Sequence, residues 1–239
     1  MISQDPGFNM NMVVDGDRRT LLHHACWGSK DRSAVIPLLL AHPDIDVNAK
    51  DSIGITPFFC ACYGFTPCVR LLLKDSRVNV NQPANNGETP LWGAAYDGHL
   101  DITKWWIASG REMDLGDPED FYKMDAISMA KEEGMTEVVT LLERYKENPV
   151  EPRHQVRVEL GLVDELAAEM FALVVFVSDG LLHVNDTTSS PAARLFSIAS
   201  QLPLELQMVL CFRQIGSAKE MISGRESEVA FKELARKLW

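Results

Sequence analysis

The first 145 residues repeat a fixed order of apolar and polar segments. Each unit has a threonine, a short apolar segment, a glycine, a second segment ending in an apolar run, and a bend rich in Asp and Asn. Thr20, Thr56 and Thr89 open three such units at intervals of 36 and 33 residues. Threonine followed by proline starts a helix, because the threonine oxygen caps free N–H groups and proline needs no partner there. The pattern therefore predicts a pair of helices in each unit and an all-α fold.

The apolar runs give the second helix of each unit its buried side. They are Leu38–Leu40, Leu71–Leu73 and Trp105–Ile107, and the double tryptophan predicts one indole in the core. Because a single helix pair cannot bury its apolar face alone, we expect the units to stack on one another. Residues 117–145 are expected to form a degenerate end unit, in which Asp125 takes the position of the threonine.

The amino-acid sequence of the units resembles the ankyrin repeat, whose hallmark is Thr-Pro-Leu-His-x-Ala-Ala in units of about 33 residues. The third unit carries Thr89-Pro90-Leu91. The units also depart from the pattern, since Leu21 replaces the proline in the first, and Phe59 and Trp92 replace the histidine in the others. The resemblance implies an ankyrin-repeat solenoid of helix-turn-helix units with short hairpin fingers over residues 1–147.

The two ends of the repeat region lead to separate expectations. Residues 6–11 echo residues 43–48, so the chain is expected to begin inside the tail of an earlier unit, with an N-terminal repeat missing. At the other end, a polar stretch with two prolines over residues 147–153 closes the repeat region. We expect residues 153–239 to form a compact helical module packed on the last repeat.

The pattern of this carboxy-terminal module predicts an extended run at residues 156–160 and a buried helix at residues 163–177. Further helices are expected at residues 191–201, 203–215 and 226–238.

Composition narrows the possible partners and the compartment. The net charge of −11 argues against general binding to nucleic acid or to anionic membranes, because both attract basic surfaces. Partners with a basic contact surface fit better, although acidity also serves solubility. There is no amino-terminal leader pattern and no apolar run of membrane-spanning length. The odd number of cysteines, 5, fits reduced thiols and a cytoplasmic location.

Catalytic patterns are missing from the sequence. It contains no phosphate-binding glycine loop, no nucleophile elbow and no His-Glu-x-x-His motif. The spacing of Cys60, Cys62 and Cys68 is not that of a zinc site, and no histidine is placed to complete one. We therefore predict a protein that is not an enzyme and that uses no cofactor and no metal ion.

The resemblance implies a concave binding surface made by the fingers and the exposed side of the first helices. By position, the finger residues are Asp17, Arg19, Ser52, Ile53, Ile55, Asn85, Asn86 and Glu88, and the helix ends add Trp27, Tyr63, Tyr96 and Asp97. The three aromatic residues stand at equivalent positions and predict an aromatic ladder. Such rings are frequent anchors at protein interfaces, and the alternative is that they pack against the neighbouring fingers. The implied function is a scaffold or recognition module that binds a protein partner.

A second resemblance lies in the carboxy-terminal module. The string Leu202-Pro203-Leu204-Glu205-Leu206 is similar to the start of an F-box, a helical module that docks on the linker subunit of cullin-type ubiquitin ligases. This implies an alternative function as a substrate adaptor that docks the ligase through residues 202–213. The alternative requires Leu204 and Leu206 to be available to a partner. An ordinary core helix is the other interpretation, because Leu-Pro before an amphipathic helix is common.

Overall fold

The computed structural model describes residues 9–28, 31–116, 125–180, 197–199, 201–215, 229–232 and 235. The chain divides into two compact units, Met1–Val156 and Arg157–Trp239. The described residues of both units are helical, apart from loops and one isolated antiparallel bridge between Val13 and Thr20.

The first unit is built from successive pairs of antiparallel helices, and this confirms the all-α repeat fold. The helices are α1 (Leu21–Cys26), α2 (Ile36–Leu40, preceded by the 3-10 turn Ser33–Val35), α3 (Pro57–Cys62), α4 (Thr66–Leu73), α5 (Pro90–Tyr96), α6 (Leu100–Ser109), α7 (Ala126–Glu132) and α8 (Thr136–Glu147). The first helices of successive pairs contact one another, and so do the second helices. Each repeat therefore buries its apolar side against its neighbours, as a solenoid requires.

Polar side chains cap the first helices at the positions that the sequence predicted. The hydroxyl of Thr56 accepts the N–H of Phe59 at 3.2 Å, and Thr89 accepts the N–H of Trp92 at 3.2 Å. Asp125 takes the same position in the end unit and accepts two backbone N–H groups of the first turn of α7, at 3.0 and 3.1 Å. Each cap satisfies donors that have no partner within the helix.

A row of asparagines ties each repeat to the next. The side-chain amide of Asn48 donates to the carbonyl of Arg77 at 2.8 Å, and its oxygen accepts the N–H of Asn79 at 2.7 Å. Asn11 and Asn81 make the same two kinds of bond to the loop of the following repeat. The next position in the row is a glycine, Gly116, which has no side chain to continue the series.

The core of the first unit runs through the whole stack without a break between repeats. Trp106 is fully buried, and its ring lies edge-on to Phe58 with centroids 5.0 Å apart. Trp105 is half-buried on α6, and the guanidinium of Arg70 lies 4.0 Å from its ring centroid. The prediction of one indole in the core is confirmed.

The proline-containing stretch after α8 is helical, so the expectation of an extended run at residues 156–160 is wrong. Helix α9 spans Val150–Glu159. Asn148 accepts the N–H of Val150 at 3.1 Å, and Pro152 lies in the first turn, where its missing N–H costs no helical bond. Arg153 donates to the carbonyl of Ile107 at 3.3 Å, which fastens the start of α9 to α6.

The second unit contains α10 (Val163–Ser178), as the sequence predicted, and α11 (Leu204–Ile215). The two helices contact each other through small residues on α10, which let the backbones approach closely; the buried set includes Ala167, Ala168, Ala172 and Cys211. Of the other expected helices, residues 197–199, 229–232 and 235 are helical, residue 201 lies in a turn, and the remaining positions lie outside the described residues. Among the residues that the structure describes, none of the helices is long and apolar enough to cross a membrane.

Candidate functional site

In the part of the chain that the structure describes, three hairpin turns lead into the first helices α1, α3 and α5. We call them the fingers: residues 14–19, 51–55 and 84–88. Backbone bonds close them, from Val14 N to Arg19 O at 2.8 Å in the first, and from the first to the last residue at 3.0 Å in the other two. The last residue of each finger precedes the capping threonine, so the finger leads directly into a first helix.

Neighbouring fingers are joined through their backbones. Ser52 donates its N–H to the carbonyl of Asp17 at 2.8 Å, and Asn85 donates to the carbonyl of Ile53 at 2.9 Å. The contact is so close that a Cβ on Gly54 would lie 2.6 Å from the nitrogen of Asn85, and Gly54 also has φ of +85°. The fingers therefore stand in a fixed register.

The tips of the fingers are exposed in this register. Asp17, Ile53 and Asn86 occupy the same position in three successive fingers, and Ile53 is 55% exposed although it is apolar. Ser52 and Asn85, one position earlier, are also exposed. An isoleucine held at a tip by backbone bonds gives the surface a preformed apolar contact.

Ile55, which the repeat pattern placed among the finger residues of the binding surface, does not share this exposure. Its side chain is only 7% exposed, and its carbonyl lies 3.0 Å from Nε2 of His23. A carbonyl can only accept, so Nε2 carries the proton and Nδ1 accepts the N–H of Thr20 at 3.1 Å. Burial lowers the pKa of His23, although the bond to Ile55 opposes this, and the ring is held neutral between two repeats.

Arg19 connects the first finger to the end of α1. Its Nε lies 3.6 Å from Oδ2 of Asp51, a carboxylate that is buried at the base of the second finger. Its guanidinium lies 5.1 Å from the ring centroid of Trp27. Asp51 also accepts the N–H groups of Ile53 and Ile55, at 3.0 and 2.9 Å. One buried carboxylate thus holds both the second finger and the arginine of the first.

The aromatic residues at the ends of the first helices form two pairs rather than one continuous ladder. Trp27, which is 38% exposed, meets Tyr63 edge-on with ring centroids 5.8 Å apart. Tyr96, which is 42% exposed, stacks on Trp92 at 5.4 Å with the planes 15° apart. Sequence reasoning treated Trp92 only as a substituted histidine. The signal that could have found it is its spacing of four residues from Tyr96, which places both rings on one helix face.

Tyr63 lies in a negative environment. Burial raises the pKa of its phenol to about 12, and the carboxylates of Glu88 and Asp97 contribute in the same direction. Both acids come from the next repeat, one from its finger and one from the end of α5. Since the guanidinium of Arg19 in the first finger also lies over the ring of Trp27, the finger residues and the helix ends belong to one surface. We call it the finger face: Asp17, Ser52, Ile53, Asn85, Asn86 and Glu88 of the fingers, with Trp27, Tyr63, Trp92, Tyr96 and Asp97 of the helix ends.

A cleft of about 560 Å³ opens beside this face, between the first and second repeats. Its walls include Trp27, Asp31, Tyr63, Phe65 and Pro67, and Cys68 also lines it. A cleft with aromatic walls and one carboxylate is suited to receiving a side chain of a bound protein.

The five cysteines are all free and buried. Burial raises the pKa of Cys60 to about 12, so this thiol is protonated and unreactive at neutral pH. The described residues contain no group of His, Cys, Asp and Glu side chains that is placed to hold a metal ion.

Comparison with known proteins identifies the architecture. A family profile described as "Ankyrin repeats (3 copies)" matches residues 2–84 and 22–117. The chain is an ankyrin-repeat protein. The ankyrin repeats indicate a module for protein–protein interaction, and their family is consistent with a role other than catalysis. The carboxy-terminal part of the chain lies outside this match.

Several curated proteins are similar to this ankyrin-repeat chain. The human SMC5-SMC6 complex localization factor protein 1 is 29% identical over 185 residues, which covers 70% of this chain and 17% of that protein. The bovine protein of the same name is 40% identical over 93 residues, covering 38% of this chain and 8% of that protein. Mouse Rabankyrin-5 is 31% identical over 103 residues, covering 43% of this chain and 9% of that protein. The chain thus spans less than a fifth of the length of these relatives.

These comparisons do not support the ubiquitin-ligase alternative for residues 202–213. In the structure, Leu204 and Leu206 lie on α11 and are about half exposed. Exposure of two leucines is compatible with many surfaces, so it does not by itself indicate a docking site.

Proposed function

We propose that this ankyrin-repeat chain captures a protein partner through the finger face. The observation that carries the proposal is the fixed register of exposed tips beside exposed aromatic rings. Backbone bonds between fingers hold the tips in place before any partner arrives, which reduces the entropy lost on binding. The large rings of Trp27 and Tyr96 supply the kind of anchors on which interfaces depend most.

The proposed role within a cell is recruitment rather than chemistry. The human relative is named as a localization factor of a protein complex, and it shares sequence with 70% of this chain. We carry over only the general role: the chain brings a bound protein to a particular place or assembly. The partner of the relative is not carried over to this chain, because the match spans only 17% of the relative.

The experiment compares the full chain with two matched variants as baits for affinity capture from a cell extract. Ile53→Asp changes an exposed tip of the finger face. Leu38→Asp makes the same change on the outer helix α2, at a residue with the same 55% exposure. Neither side chain is buried, so both variants should fold, and thermal unfolding checks this.

We expect partners of the finger face to be depleted at least about tenfold by Ile53→Asp and to be retained by Leu38→Asp. Trp92→Ala combined with Tyr96→Ala should deplete the same proteins. The proposal fails if every captured protein remains bound to both finger-face variants while those variants are folded.

A further inference from the structure

The ends of the first helices become acidic toward the later repeats. Tyr96 and Asp97 precede Gly98 in the third repeat, and Glu132 and Glu133 precede Gly134 at the same place in the end unit. All four side chains are exposed. Because the first helices stack in order, these carboxylates continue the line that begins with Trp27 and Tyr63.

A fourth carboxylate, that of Glu88, lies at the end of the third finger. Glu88 directly precedes Thr89, which caps the start of α5, and Asp97 follows the last residue of α5, so the two acids border the ring-bearing helix at its two ends. The aromatic part of the finger face is therefore bordered by negative charge on the finger side and along the helix ends.

Two cations near this line pair with acids outside it, and His99 lies 3.7 Å from Asp97. Arg19 lies 3.4 Å from Asp17 and 3.6 Å from the buried Asp51. Lys131, which precedes the acidic pair of the end unit, lies 2.7 Å from Glu143 of α8. These two basic side chains are drawn toward acids outside the line that runs from Asp97 to Glu133.

One cation of the protein itself already makes a cation–π contact with this aromatic surface. The guanidinium of Arg19 lies over the ring of Trp27 at 5.1 Å, within the range in which the negative face of an indole attracts a cation. Tyr63, Trp92 and Tyr96 present further rings on the same side of the stack. Rings for cation–π contact and carboxylates for ion pairing thus occur together.

We propose that the finger face binds a peptide segment that is rich in arginine or lysine. The inference rests on the proposed function and names the class of partner. Its cationic side chains would lie against the exposed rings and pair with the carboxylates at the border, which are Glu88, Asp97, Glu132 and Glu133. Arginine is the better ligand, because its planar guanidinium both stacks on rings and pairs with carboxylates through two bonds. The net charge of −11 adds a long-range attraction for such a segment.

The test measures binding of a short fluorescein-labelled peptide of repeated Arg-Gly-Ser to the full chain by fluorescence anisotropy. A second peptide carries citrulline in place of arginine, which keeps the shape and removes the charge. The face variant is Glu88→Gln with Asp97→Asn. Its control is Glu137→Gln with Glu147→Gln on the outer helix α8, which changes the net charge of the protein by the same amount.

We expect the arginine peptide to bind and the citrulline peptide to bind at least about tenfold more weakly. The face variant should weaken binding about fivefold or more, and the control variant should bind as the unchanged chain does. Equal weakening by the two variants would overturn the proposal, because it would show attraction to overall charge rather than to this face.

A peptide library selected on the immobilised chain separates this proposal from the function on which it rests. Selected peptides that lose binding with Ile53→Asp but lack basic residues would overturn the basic-segment proposal and leave finger-face binding intact. Selected peptides that bind the chain and the Ile53→Asp variant equally would count against both. Basic peptides that depend on Ile53 and Asp97 would support both.

Discussion

Single residues decide how the repeats respond to acid, and His23 is the clearest case. Its neutral ring donates to Ile55 and accepts from Thr20, so a second ring proton would face the N–H of Thr20. Because its pKa is lowered in the folded chain, the unfolded chain binds the proton more readily. The neutral ring of His23 therefore makes its full contribution to the free energy of unfolding above the ordinary pKa of 6.5. That contribution is lost as the pH falls from 6.5 to the lowered pKa of the folded chain.

We expect His23→Phe to flatten this dependence, because phenylalanine stands at the equivalent position in the second repeat. The variant should lose about 1–2 kcal/mol at neutral pH, since Ile55 and Thr20 each lose a buried partner. Between about pH 7 and pH 5, the free energy of unfolding of the variant should then fall less than that of the unchanged chain. Urea unfolding across that range measures both effects, with the exposed His154→Gln as control. Parallel pH curves for His23→Phe and the unchanged chain would contradict the prediction.

Cys68 should be the most reactive of the five thiols. A hydrogen bond from Cys26 lowers the pKa of Cys68, whereas burial raises the pKa of Cys60 and Cys62. Cys68 also lines the cleft beside Trp27. We expect iodoacetamide to label Cys68 first in the native chain, as peptide mapping by mass spectrometry would show. Equal labelling of all five without unfolding would be inconsistent with this environment.

The finger residues show the limit of sequence reasoning at this scale. Position in the repeat placed Ile53 and Ile55 together on a finger, and the sequence could not separate them. The turn does so: Ile53 stands at the tip, whereas the carbonyl of Ile55 is drawn to His23 of the preceding repeat. That contact joins residues far apart in the chain, so no local pattern reveals it.

At the scale of elements, helix starts were predictable because their chemistry is local. Asp125 could be assigned as the cap of α7 from its position alone, and the structure adds its electrostatics. Burial by itself raises the pKa of Asp125, but the hydrogen bonds from Ser128 and Ile127 outweigh it and lower the pKa. Helix α9 was missed because Pro149 and Pro152 suggested a linker, although Pro149 precedes the helix and Pro152 lies where a helix tolerates proline.

The residue that caps α7 should be replaceable by threonine, which caps the first helix in the other repeats. We expect Asp125→Ala to lower the free energy of unfolding by about 1 kcal/mol, because two N–H groups lose their acceptor. Asp125→Thr should retain most of that stability, since threonine fills this position in the three preceding repeats. Chemical denaturation of the three proteins compares them directly. A threonine variant as unstable as the alanine variant would show that the side chain acts through something other than capping.

The asparagine row gives a graded test of coupling between repeats. Asn48→Ala removes a donor and an acceptor that hold the loop of the next repeat, and should cost about 1–2 kcal/mol. Asn48→Asp keeps the acceptor for Asn79 and loses the donor to Arg77, so its loss should be smaller. Thermal unfolding at constant pH measures the order. The same loss in both variants would mean that the bond to Asn79 contributes nothing.

At the scale of the whole molecule, the repeat period predicted the stacking of the repeats. It could not predict where the first compact unit ends. The sequence suggests a boundary at residue 147, whereas this unit continues to Val156. Side chains of α8 and α9 explain the difference, because Arg144 donates to Gln155 at 2.7 Å. We propose that residues 148–156 complete the repeat domain and that the carboxy-terminal helices form a separate module.

This proposal predicts different stabilities for two shortened chains. The chain 1–156 keeps buried Pro152 and Val156, and burial of one valine contributes about 1.5–3 kcal/mol. The chain 1–147 loses both, so its unfolding midpoint should be lower by about 4 °C or more. Val156→Ala in the longer chain should give part of that decrease, whereas the exposed Val158 is absent from both chains and cannot contribute. Equal midpoints for the two chains would place the end of the domain at α8.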